Sequence, residues 1–134
     1  MLDTYPETVR IVFKNFPLKI HKFAAKAAIA AMAANSQGRF WEFHDLLFDN
    51  FGQLNDQKIK EIATELGLNQ EKFEKEKKDL KILAKVRQDF QDGRKAGVRG
   101  TPTIFVNGKK LKDRSLKGFK VIIDKELNRI KKSE

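Results

Sequence analysis

The sequence predicts an α/β fold of about three strands with a block of inserted helices and a C-terminal helix. Three observations carry that prediction. Val9-Arg10-Ile11-Val12-Phe13-Lys14 alternates as a half-buried strand does, with Val9, Ile11 and Phe13 on one face. Apolar residues then recur at helical spacing through much of residues 19–96. Past Gly97 the helical pattern gives way to Gly100-Thr101-Pro102-Thr103-Ile104-Phe105-Val106-Asn107-Gly108, a β-branched and aromatic run headed by proline and closed by a turn dipeptide. A chain of 134 residues reads as one domain, 1–134, large enough for a core without metal or disulfide staples.

Taken in order, the strand Val9–Lys14 ends at Asn15-Phe16-Pro17-Leu18, because Pro17 cannot continue a ladder. From His21 to Ala34 the chain is mostly alanine with Phe23, Ile29 and Met32 interspersed. That predicts a helix whose small side chains let another helix approach closely, stopped near Gly38. Phe40, Trp41, His44, Leu47, Phe48 and Phe51 follow at helical spacing, and without interleaved basic residues they read as core packing rather than a base-stacking platform. Asn55 caps a helix carrying Ile59, Ile62, Ala63 and Leu66, and Asn69 caps a shorter one around Phe73. Leu80, Leu83, Val86 and Phe90 mark another that runs to Gly97. Pro102 has no N–H to give a sheet and so belongs at the start of the strand Thr103–Val106. Asn107-Gly108 supplies the two positive-φ residues of a type I′ turn, which sends a strand back through Lys109–Lys112. Ser115 then caps a last helix with Leu116, Phe119, Ile122, Ile123, Leu127 and Ile130 on one side.

The segment Gly97-Val98-Arg99-Gly100-Thr101-Pro102-Thr103-Ile104-Phe105-Val106-Asn107-Gly108 resembles the cis-proline loop of the thioredoxin fold, and more narrowly that of DsbA-like thiol:disulfide oxidoreductases. Lys14-Asn15-Phe16-Pro17-Leu18 and Gln37-Gly38-Arg39-Phe40-Trp41-Glu42-Phe43-His44-Asp45 are also similar to runs in that family. The resemblance implies a truncated thioredoxin-like fold in which 19–96 is a helical insertion. It also implies a cis Thr101-Pro102 bond and an extracytoplasmic or periplasmic setting. The family's first strand, first helix and Cys-x-x-Cys have no counterpart in the chain, so either the sequence begins late or it is a degenerate relative.

Composition excludes more than it assigns. The chain has no cysteine, and disulfide exchange needs a thiolate, so the residues present are expected to be redox-inactive and no catalytic residue is named. No apolar run is long enough to span a membrane, and Met1 is not followed by a signal segment. The net charge of +10 raises nucleic acid or an anionic membrane surface as a partner. Most lysines, however, alternate with glutamate or sit on polar helix faces, as in Glu71-Lys72-Phe73-Glu74-Lys75, and no nucleic-acid motif accompanies them. His21 and His44 are the only histidines and lack partners at metal-ligand spacing, so neither a metal nor another cofactor is expected.

Thr101 and Pro102 remain as the substrate-binding candidates, with Arg99 a weaker one. The resemblance implies that the Thr101 backbone pairs with an extended peptide or unfolded protein, while the residues alone are equally those of a turn that starts a strand. Two functions follow. The chain is most of a DsbA-like oxidoreductase domain whose complete form exchanges disulfides in exported proteins, or it is a redox-dead thioredoxin-fold module for peptide binding or assembly. In the family's strand order the absent strand lies between Val9–Lys14 and Thr103–Val106, and the two exposed edges predict a homodimer.

Overall fold

A computed structural model describes residues 2–133. The fold is mostly helical α/β with a short open sheet and falls into two compact units, one of residues 14–99 and one of residues 2–13 with 100–133. The helical unit holds α1 (Ala24–Asn35), α2 (Phe40–Asp49), a 3₁₀ turn (Phe51–Gln53), α3 (Asp56–Glu65), α4 (Gln70–Glu76) and α5 (Leu80–Lys95). The hairpin unit holds β1 (Phe105–Val106), β2 (Lys109–Lys110) and α6 (Leu116–Ser133).

Helix α1 is the axle of the helical unit. It touches α2, α3, α4 and α5, which explains why it is built of alanine: a helix surrounded by others gains contact by letting their backbones come close. Ala30, Ala33 and Ala34 are fully buried, and Phe43 and Phe73 stack their rings 5.6 Å apart against Ile59, Ile62 and Ala63. The helix boundaries come from side-chain caps, those at Asn55 and Asn69 as expected and one at Asp79 besides. Asn55 accepts from the Lys58 N–H at 2.7 Å, Asn69 from Lys72 at 2.9 Å and Asp79 from Lys81 at 2.8 Å. Gly38 closes the turn after α1 at φ 73°.

One buried carboxylate ties the start of this unit to α5. Asp89 Oδ2 accepts from the Asn15 backbone N–H at 3.1 Å and from its side-chain amide at 2.9 Å, and the Lys85 ammonium lies 2.8 Å from Oδ1. Burial alone would raise this carboxyl, but Lys85 and the Asn15 donors outweigh it and hold it below the ordinary aspartate range. Next to it Phe16 stacks on Phe90 at 4.6 Å. Gly93 leaves the room, since a Cβ there would lie 2.8 Å from the Phe16 ring.

In the hairpin unit Asn107 and Gly108 take φ 48° and 81°, as the type I′ turn requires. Phe105 faces Lys110 and Val106 faces Lys109. Behind the turn Ser115 caps α6, its Oγ accepting from the Gly118 N–H at 3.1 Å. Gly118 is needed there because a Cβ would stand 2.0 Å from the Asp113 carbonyl oxygen. Among the described apolar side chains of this unit only Leu111 and Ile123 are buried.

Several expectations are corrected. Val9–Lys14 forms no strand: alternation favours an extended segment, but a strand needs a ladder to a neighbouring strand, and the sheet of the described residues holds β1 and β2 alone. Ile11, Val12 and Phe13 are accordingly exposed. Thr103–Val106 shortens to Phe105–Val106 and Lys109–Lys112 to Lys109–Lys110, with one further bond, Leu111 N–H to Ile104 C=O at 2.8 Å, beyond the ladder. On α2 the aromatic arc is wider than the buried one. Phe43 and Leu47 are inside, whereas Trp41 and Phe48 lie a third of a turn or more round from the middle of that pair and are exposed, as is Phe51. Leu80 and Leu116, each in the first turn of its helix, and Ile130 near the end of α6 are exposed too.

Candidate functional site

The sequence-predicted site lies at the head of β1. Thr101 and Pro102 are both exposed, and the bond between them is cis. The flanking carbonyls are occupied: Thr103 Oγ1 donates to the Gly100 C=O at 2.7 Å, and Arg114 Nη1 donates to the Pro102 C=O at 2.8 Å. Among the described residues nothing bonds the N–H or C=O of Thr101. The hairpin register extends this open row. In a two-residue hairpin the pair beside the turn, Val106 and Lys109, is the hydrogen-bonded one, so the Phe105 N–H and C=O point away from β2. Thr101 and Phe105 thus each leave polar backbone groups unpaired, and the Phe105 ring is exposed.

A charged node holds the hairpin to α6. Glu126 is 3% exposed and receives Lys109 Nζ at 2.7 Å, Arg129 Nε at 3.1 Å and the Asn107 side-chain amide at 3.4 Å. Lys109 first and the Arg129 and Asn107 donors with it overcome burial and push the Glu126 carboxyl down to about 2. The arrangement locks the turn that projects β1, and it contains no nucleophile or free base. No group of histidine, aspartate or glutamate among the described residues could hold a metal ion.

The other candidates belong to the helical unit. Arg99 is an exposed loop residue. His21 lies edge-on to Phe51 at 5.4 Å, and His44 sits 3.1 Å from Asp45 with the Phe48 ring at 4.7 Å. Sequence reasoning missed Arg114 and Glu126. Arg114 left no signal, because it acts across the hairpin. Glu126 did: it falls three and four residues after Ile123 and Ile122, an acid on the apolar side of a helix.

The family described as Thioredoxin matches residues 2–125, nearly the whole chain. The chain belongs to the thioredoxin family. Within that thioredoxin-like fold the open edge lies on a cysteine-free chain. Relatives of known name include the Na(+)/H(+) antiporter NhaA 1 of Salinispora arenicola, 37% identical over 103 residues that cover 76% of this chain and 16% of the antiporter. The Na(+)/H(+) antiporter NhaA 3 of Salinispora tropica is 38% identical over 104 residues, covering 77% and 16%. The Na(+)/H(+) antiporter NhaA of Herminiimonas arsenicoxydans is 31% identical over 108 residues, covering 81% and 17%. This thioredoxin-family chain therefore spans about a sixth of the length of the relatives it matches. No solved structure is similar enough to count as a match, and no helix among the described residues is long and apolar enough to cross a membrane.

Proposed function

We propose that this chain is the polypeptide-holding part of a DsbA-like domain. An extended peptide or unfolded protein adds as a strand along Thr101 and Phe105, and disulfide exchange in the complete form uses thiols that these 134 residues do not contain. The setting is extracytoplasmic, where exported proteins pass as extended chains. The observation that carries the reading is the unbonded Thr101 backbone set beside carbonyls that are already taken. A second copy of the chain is one possible source of the added strand, giving a homodimer through paired β1 edges.

Fluorescence polarisation of a short cysteine-free peptide of alternating valine and threonine tests the proposal. The peptide should bind, and its N-methylated version, with the same side chains but no donors, should bind at least about tenfold more weakly, the loss of roughly one hydrogen bond at 1.4 kcal/mol per decade. Equal binding of the two peptides, or none, overturns it. Light scattering across dilution reads the dimer, which a constant monomer mass excludes.

A second reading has its own support. The relatives above are named as antiporters and align over about a sixth of their length, which favours a thiol-free module assembled with a membrane transporter. Failure of peptide binding, together with pull-down of a sodium–proton antiporter by the tagged chain, would favour it.

A further inference from the structure

We propose that the solvent face of α6 docks on an anionic bilayer surface. The two carboxylates of α6 are both spoken for within the hairpin unit. Asp124 accepts the Tyr5 hydroxyl at 2.6 Å, and Glu126 is enclosed by Lys109 and Arg129. The lysines are not: Lys117, Lys120, Lys125, Lys131 and Lys132 are all exposed, and among the described residues none is in an ion pair. At 3.6 residues per turn Lys117, Lys120 and Lys131 fall opposite the buried Gly118, Ile123 and Glu126, and Lys132 and Lys125 carry the stripe round to the border beside Gly118. Asp124 keeps its negative charge within this arc, and five lysines against that one carboxylate leave a net cationic field. It is unlike the lysine–glutamate pairs of α4, where Lys72 meets Glu76 and Lys77 meets Glu74.

The occupant follows from what else is on that face. Val121 is 63% exposed and lies among Lys117, Lys125 and Lys132. An apolar side chain ringed by ammonium groups matches a headgroup layer, where lysines meet lipid phosphates and the apolar group enters the acyl boundary. A nucleic-acid backbone would use the same charges and leave Val121 idle. The stripe also lacks the arginines and stacking rings that nucleic-acid surfaces carry.

The test is flotation of the 134-residue chain with phosphatidylcholine vesicles, alone or containing phosphatidylglycerol. Binding is expected to the anionic vesicles only and should weaken as salt rises. Replacing Lys117, Lys125 and Lys132 by glutamine should weaken it on the order of a hundredfold, at about fivefold per lysine. Replacing Lys72, Lys75 and Lys78, an equal loss of charge in the helical unit, should leave it nearly unchanged. Val121→Ser should weaken vesicle binding with circular dichroism unaltered. Equal effects of the two triple variants would assign binding to overall charge and overturn the proposal. So would binding to neutral vesicles, absence of binding, or tighter capture of a DNA duplex that ignores Val121→Ser.

Discussion

The helical unit and the hairpin unit spend their apolar residues in opposite ways. In the first, alanines, Phe43, Ile62 and Phe73 are buried around α1, and the helix ends are closed by Asn55, Asn69 and Asp79. In the second, Leu111 and Ile123 are the buried apolar residues among those described, while Ile11, Val12, Phe13 and Phe105 meet solvent. Helices satisfy their own backbones and need only side-chain partners. A strand needs a neighbour's backbone, so the unit that carries the strands is the one left open. Order lies with the helices and unpaired backbone with the edge.

Four changes break or sharpen that contrast. Phe43→Ala should have the largest effect, a loss of about 3–5 kcal/mol for a truncated, fully buried ring, read by urea unfolding followed at Trp41, the single tryptophan. A loss under 1 kcal/mol would mean that the helical core is not packed as described. Gly118→Ala forces a methyl against the Asp113 backbone and should cost roughly 1–3 kcal/mol, with the change appearing at Tyr5, the single tyrosine, which belongs to the hairpin unit.

Acid comes next. Asp89 and Glu126 both have carboxyl groups held below their ordinary values, so each contributes stability in full above that ordinary value and loses it as pH falls toward its folded-state value. For Glu126 the window runs from 4.5 down to about 2. Glu126→Gln should flatten the acid limb seen at Tyr5 over that window and leave the limb seen at Trp41 in place. An unchanged Tyr5 limb would show that the node does not hold the hairpin unit. The smallest effect belongs to Leu80→Ala, expected within about 0.5 kcal/mol because the side chain is 79% exposed, despite its place in an apolar repeat. A loss several times larger would place Leu80 in a contact that its exposure denies.

The sequence made local chemistry legible and partnership hard to see. Caps at Asn55, Asn69 and Ser115 and the Asn107-Gly108 turn are set by residues within a few positions of each other, and all are present, whereas β1 begins at Phe105 rather than directly after Pro102. Val9–Lys14 has the alternation of a strand, but its pairing depends on a distant partner that alternation cannot supply. Trp41, Phe48, Leu80 and Leu116 fit helical spacing equally well, yet burial depends on how wide an arc the neighbouring helices cover. At the site, Thr101 and Pro102 were readable from the loop pattern, whereas Arg114 became visible only when the hairpin brought it to the Pro102 carbonyl. Asp89 and Glu126 lay between these extremes, each an acid inside an apolar repeat whose partners sit on other elements.

Amide hydrogen exchange read residue by residue, with and without the valine–threonine peptide, tests the central claim that an ordered helical unit accompanies an open, strand-accepting edge. Without peptide, Ala33, Ala34 and Ile62 should exchange slowly, and Thr101 and Phe105 near the rate of an unstructured chain. Peptide at roughly ten times its dissociation constant should slow Thr101 and Phe105 by about tenfold and leave the helical amides unchanged. Protection of Thr101 and Phe105 in the free chain, or slowing by peptide at the helical amides instead, would contradict the account.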